Sequence, residues 1–148
     1  MTEENVNLLR SCSKSFGIIL SDAQIDLFNR YLFELTEWNK KFNLTAIKEE
    51  KEIVLKHFID SISVVPYFPK DASSMIDVGS GAGFPGIPIK IVLKDLAVTL
   101  LDSLEKRVKF LNHIIQCHFY ENTTATHKRA EELAHVLEHR EAYDIGIS

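Results

Sequence analysis

Apolar residues in the first half of the chain recur at helical spacing. Val6, Leu9, Cys12 and Phe16 share one face, and Gly17 stops the segment, because a glycine just past the last periodic residue suits a helix end. Ser21-Asp22-Ala23-Gln24 is a capping box, in which the Ser21 and Gln24 side chains each accept the other's backbone N–H. Behind it Ile25, Phe28, Leu32 and Leu35, joined by Tyr31, Trp38 and Phe42, make an apolar stripe wide enough to require a second layer to pack against. A third helix is expected over about 49–64, with Ile53, Val54, Phe58, Ile62 and Val65 as its apolar positions and Pro66 and Pro69 ending it.

From Ser74 the texture changes to short apolar runs alternating with helical segments. Ile76 to Val78, Ala97 to Asp102, Thr123 to Lys128 and Tyr143 to Ile147 predict strands, and Pro85 to Leu93, Leu104 to His118 and Ala130 to His139 predict helices. Strict alternation of this kind predicts an α/β fold, a Rossmann-like parallel sheet with right-handed crossovers. Two units are expected: a helical N-terminal subdomain over residues 1–70 and the sheet domain over 71–148. With the last strand at the chain's end, the expectation is a sheet cut short after its fourth strand, with a bare apolar edge. Such a fragment is expected to bind its ligand weakly or not at all and to turn over no substrate.

Composition narrows the class. With 148 residues, 45% of them hydrophobic and 26% charged, the chain has the make-up of an ordinary soluble globular protein. No apolar run approaches the ~20 residues of a membrane helix, and the polar start Thr2-Glu3-Glu4-Asn5 is no secretory signal, so a cytoplasmic location is expected. The net charge of −4 argues against unspecific binding to a polyanion, so any nucleic-acid contact must be local. Lys40, Lys41, Lys48, Lys51 and Lys56 form one basic grouping and Lys106, Arg107 and Lys109 another, yet each sits among acids, as a solvated helix face would. Lys40, Lys41 and Asn43 are the candidates for phosphate contacts, and Trp38 reads as core.

Cys12 and Cys117 belong to no Cys-x-x-Cys and are expected to be small buried hydrophobes. His113-x-x-x-Cys117 and His135-x-x-x-His139 have i, i+4 spacing suited to a metal. Neither pair has two further ligands at a clear spacing, so no metal is expected.

The chemistry concentrates in Asp77-Val78-Gly79-Ser80-Gly81-Ala82-Gly83-Phe84-Pro85-Gly86, where a strand ends in an acid and four glycines follow within eight residues. Glycines stand where φ must be positive or where backbone must approach a ligand closely. Pro85 suits the start of the next helix, whose free N–H groups would face the bound molecule. A second acid, Asp102, ends the second predicted strand 25 residues after Asp77, where a carboxylate can accept both ribose hydroxyls of an adenosine. The loop fits G-x-G-x-x-G, a weak sign of a dinucleotide. The Asp-x-Gly-x-Gly-x-Gly form, the loop's lack of a lysine or arginine for a pyrophosphate, and the helical segment ahead of the first strand favour S-adenosylmethionine. Asp77 would hold the methionine amino group or, alternatively, order the loop by accepting its N–H groups. Asp102 would bind ribose or cap the next helix.

The run from Asp77 to Pro88, Thr99-Leu100-Leu101-Asp102-Ser103 with Lys106-Arg107, Trp38 to Ile47, His57-Phe58-Ile59-Asp60-Ser61 and Arg129-Ala130-Glu131-Glu132 together resemble the bacterial ribosomal small-subunit methyltransferase G family, the glucose-inhibited division protein B family. The match spans about residues 25–148. The resemblance implies methyl transfer from S-adenosylmethionine to N7 of a guanine in the decoding region of 16S ribosomal RNA, with the RNA or the small subunit as partner. It implies cofactor contacts at Gly79 and Phe84 in the loop and at Ala130 and Glu131 beside the adenine, to which the loop reading adds Asp77, Gly81 and Asp102. A further family contact, the arginine of an Ile-Ser-Arg-Ala sequence, falls after Ile147-Ser148. No general base is expected, because guanine N7 carries an in-plane lone pair and no proton. The alternatives are a non-catalytic fragment that binds the cofactor or RNA, and a nicotinamide-dependent dehydrogenase.

Overall fold

A computed structural model describes residues 1–118, 120–134 and 142–148. Helix α1 (Glu3–Ser15) opens on Thr2, whose hydroxyl accepts the Asn5 N–H, and the chain turns out of it at Gly17, φ +81°. Helix α2 (Asp22–Asn39) carries both halves of the expected capping box. Gln24 does more than cap: while its Oε1 accepts the Ser21 N–H, its Nε2 donates to the Ile91 carbonyl at 3.2 Å.

The expected third helix is three segments in succession. Helix α3 (Glu50–Ile53) widens into a π-helical stretch, Val54–Ile59, and tightens again into α4 (Asp60–Ile62). A 3₁₀ turn, Val65–Tyr67, follows with Pro66 in its first turn, where a missing N–H costs nothing. The Glu50 carboxylate accepts the Thr2 N–H at 2.6 Å and the Asn5 side-chain N–H at 2.7 Å, fastening α3 to the start of α1.

The sheet is parallel, in the order β3-β2-β1-β4, built from β1 (Ser74–Val78), β2 (Ala97–Asp102), β3 (Thr123–His127) and β4 (Ile145–Ile147). Asp77 pairs with Leu100 on one side and Ile147 on the other, and Asp102 pairs with His127. Strand order reverses between β1 and β4, which is where ligands sit in doubly wound sheets, beyond the carboxyl ends of the strands. Helices α5 (Gly86–Val92), α6 (Glu105–His118) and α7 (Ala130–Ala134) connect the strands. Part of the helix expected over Ala130 to His139 lies outside the described residues, as does the His135/His139 pair.

Helix α2 packs on both α5 and α6, and α4 packs on α5. One contiguous core therefore runs from Leu9, Phe28, Tyr31, Leu35, Phe58 and Ile62 to Met75, Ile87, Leu100, Phe110 and Ile145. Among the described residues, no helix is long and apolar enough to cross a membrane.

Candidate functional site

The glycine loop leaves β1 through Gly79 and Ser80, whose N–H groups both donate to the Leu101 carbonyl at the end of β2. Asp77 is fully buried beneath it. Its Oδ2 accepts the Ser80 hydroxyl at 2.8 Å and the Gly86 N–H at 2.9 Å, while its Oδ1 has no partner among the described residues. Burial pushes this carboxyl up to about 6, against the opposing effect of those two hydrogen bonds and with added repulsion from Asp102. Asp77 thus orders the loop and takes up the first N–H of α5, a group expected from the sequence to face the ligand.

Two glycines are fixed by close approach. A Cβ on Gly86 would lie 2.3 Å from Leu100 Cδ2 and 2.8 Å from Asp77 Oδ2. At Gly83, φ +102°, it would lie 2.6 Å from the Tyr31 hydroxyl and 2.7 Å from Ile87 Cγ1. That contact exists because α2 reaches the loop: the buried Tyr31 hydroxyl donates to the Ala82 carbonyl.

Asp102 also serves the loop. Its Oδ2 accepts the Gly81 N–H at 2.8 Å and its Oδ1 accepts the Leu104 N–H at 2.9 Å, just ahead of α6. The Arg107 guanidinium approaches Oδ2 at 3.7 Å. Each carboxylate oxygen retains acceptor capacity beyond one hydrogen bond.

A cleft of about 390 Å³ opens beyond the carboxyl ends of β1, β2 and β3, lined by Val78, Gly79, Leu101, Asp102, Ser103 and residues 128–131. Gly79, Asp102, Ala130 and Glu131, expected at the cofactor, converge there. Gly81 touches this group through Asp102. Asp77 lies under the loop, and the Phe84 ring turns away into an aromatic cluster. It stacks on the His57 imidazole at 4.2 Å with 7° between planes and approaches Tyr31 at 5.5 Å. His57 in turn bonds Thr45 Oγ1 at 3.1 Å.

Lys128 and Arg129 on the cleft wall were not expected as lining residues. Their position just before α7, after a strand-ending His127, was the available signal. The basic groupings instead behave largely as solvated helix faces, with Lys40 beside Glu37, Lys56 beside Glu52 and Lys109 beside Glu105. Trp38, expected in the core, is partly buried at its edge, where it packs edge-on against Phe110 at 5.4 Å. The expectation that both cysteines are buried needs correcting: Cys12 is half-buried and Cys117 is exposed, because its position near the end of α6 faces outward, one turn beyond His113.

An acid-terminated first strand, a glycine loop and a second-strand acid on one cleft define a Rossmann-like fold of the methyltransferase class. Comparison with known proteins gives the particular family. Residues 24–148 match the model of the GidB family, described as rRNA small subunit methyltransferase G, and the chain belongs to that family. A relative in Acetivibrio thermocellus named ribosomal RNA small subunit methyltransferase G is 52% identical over 141 residues, covering 95% of this chain and 58% of the relative. Relatives of the same name in Clostridium botulinum strain 657 and in Caldanaerobacter subterraneus are 47% and 44% identical, covering 98% and 100% of this chain and 61% and 62% of their own. The chain thus spans about three-fifths of the length of the curated relatives it matches.

Proposed function

We propose that this chain holds the cofactor half of an enzyme that transfers a methyl group from S-adenosylmethionine to N7 of a guanine in the decoding region of 16S ribosomal RNA. The observation that carries the reading is the convergence of Gly79, Asp102, Ala130 and Glu131 on one cleft, in a chain of this family. The cleft's size falls in the range of small-molecule sites. Asp102 would receive the ribose hydroxyls, residues 130–131 would flank the adenine, and the Asp77 Oδ1 would bear on the methionine ammonium from beneath the loop.

The bound cofactor supplies an electrophilic methyl group on a sulfonium. Everything the chain contributes is binding and orientation: the guanine N7 lone pair attacks without losing a proton, so no side chain need act as a base. Holding two reactants in line contributes up to roughly 7–11 kcal/mol in favourable cases. Tyr31, by pinning Ala82, fixes the loop that would position the methionine end.

Calorimetric titration with S-adenosylhomocysteine tests the reading, with NAD alongside and Asp102→Ala as the control. Saturable binding of the homocysteine compound alone, weakened in a variant whose circular dichroism is intact, supports it. Binding of NAD overturns it. Tritium transfer from the labelled cofactor to 16S RNA or small subunits then separates an active chain from one that binds without turnover.

A further inference from the structure

Glu34 on α2 and the pair His113 and Cys117 on α6 meet on the side of the molecule formed by those two helices. Glu34 Oε2 lies 2.8 Å from His113 Nε2, and Cys117 Sγ lies 3.5 Å from the same nitrogen. One ligand atom from each residue falls within 4.8 Å of the other two. The sequence showed only the i, i+4 pair; the third group stands 79 residues from His113 and is supplied by packing. We propose that these three side chains bind a zinc ion that clamps α2 to α6.

Side-chain rotations bring the three groups to the distances that ion needs. Tetrahedral zinc with bonds of about 2.0–2.3 Å holds its nitrogen and oxygen ligands about 3.4 Å apart and its nitrogen and sulfur ligands about 3.6 Å apart. The thiol stands beside the ring, its Sγ 3.5 Å from Nε2 and 3.7 Å from Nδ1, so it must swing round toward Nε2 while the carboxylate opens by roughly 0.6 Å, both within reach of side-chain rotations. The chemistry suits it too: imidazole with thiolate selects zinc over magnesium or calcium. As the sulfur–zinc bond forms, the Cys117 thiol proton passes to solvent. Thiolate and carboxylate together then balance the ion's two positive charges, and His113 binds neutral through Nε2.

The surroundings are prepared for a ligand set. The Trp38 ring packs on the His113 imidazole at 5.1 Å and limits its rotation. Glu34 and Cys117 open onto a shallow cleft shared with His118, through which an ion can enter and a water can take the fourth position. Arg30, which also lines that cleft, is paired with Asp26 at 3.0 Å.

The consequence is mechanical. Tyr31, one turn before Glu34, holds the glycine loop, and α6 follows directly on Asp102. A zinc clamp between these helices would stiffen both supports of the cleft.

The test uses the metal-free 148-residue chain titrated with cobalt(II) as the spectroscopic probe and with zinc in competition. Expected are one bound equivalent, a thiolate-to-cobalt charge-transfer band, quenching of Trp38 fluorescence, and displacement by zinc. Cys117→Ser should abolish the band, and Glu34→Gln should weaken zinc binding at least about tenfold. Both positions lie at the surface, and far-UV circular dichroism verifies that each variant is folded. Cys12→Ser and a His135→Gln/His139→Gln pair should leave the signal intact. Absence of binding, binding undiminished in folded Cys117→Ser, or loss of binding in the His135/His139 variant would each overturn the proposal.

Discussion

Replacing Asp77 with asparagine isolates the buried carboxylate beneath the glycine loop. Burial holds this group up at about 6, against an ordinary 3.8, so its neutral form is the one the folded state prefers. The sign follows from linkage. A raised carboxyl contributes stability that is fully present below 3.8 and is lost as pH rises through about 6. The whole displacement corresponds to about 3 kcal/mol, of which about 2 kcal/mol is lost between pH 4.5 and pH 7. The asparagine side chain would keep an acceptor for the Ser80 hydroxyl and the Gly86 N–H and would not titrate. Its amide N–H groups would sit where Asp77 Oδ1 has no partner, a cost that does not vary with pH.

Urea unfolding at the two pH values, followed by far-UV circular dichroism, measures the difference directly. The stability of Asp77→Asn relative to wild type should rise by about 2 kcal/mol from pH 4.5 to pH 7, while every other titrating group cancels between the two proteins. Parallel pH dependences would refute the reasoning, because they would mean that Asp77 ionises in the fold as easily as in the unfolded chain. If the charge is retained for the methionine ammonium, the same variant should bind S-adenosylhomocysteine more weakly at pH 7 despite its gain in stability.

Other substitutions probe the loop from its remaining sides. Gly86→Ala places a methyl group against Leu100 and Asp77, and should cost about 1–3 kcal/mol by overpacking, read as a lower urea midpoint at unchanged slope. Tyr31→Phe leaves the Ala82 carbonyl without its donor in a buried site and should cost about 1–3 kcal/mol, with weaker S-adenosylhomocysteine binding by calorimetry. Lowering the pH through the carboxylate range should weaken the join between α1 and α3. Although burial opposes it, the Asn5 and Thr2 hydrogen bonds hold Glu50 below its ordinary value, so its contribution is present above that value and lost as the group protonates. Glu50→Gln should flatten this acid limb in pH-dependent melts.

Features written in a few consecutive residues were legible. The Ser21–Gln24 capping box, the stop at Gly17, strand β2 from Ala97 to Asp102 and the glycine loop all depend on neighbours within a turn or so, and each stands where the spacing put it. The π-helical stretch was not, because over Val54–Ile59 a wider turn leaves nearly the same apolar spacing as an α-helix. Nor was the destination of Phe84. The resemblance implies a cofactor contact there, and only the fold reveals that the ring stacks on His57 and lies tilted beside Tyr31. The contact between Glu34 and His113 was hidden for the same reason: each lies on a helix surface whose partner the periodicity does not specify.

The boundary expected near residue 70 marks a change of pattern, yet the packing predicts that the two sides do not fold separately. Phe28, Tyr31, Leu35, Phe58 and Ile62 are each fully buried, in one core with Ile87, Leu100 and Phe110 of the sheet side. Burying such side chains contributes about 1.5–3 kcal/mol apiece, so these five amount to on the order of 10 kcal/mol. That is as large as the whole net stability of a typical domain, about 5–15 kcal/mol. Residues 71–148 alone would also lose the Tyr31 hydroxyl from Ala82 and the Gln24 amide from the end of α5. This polypeptide should show no cooperative urea transition and should bind dyes that mark exposed apolar surface. A sharp transition with native-like circular dichroism would refute the argument and make the helical layer an accessory to the cleft, where the packing makes it a supporting wall.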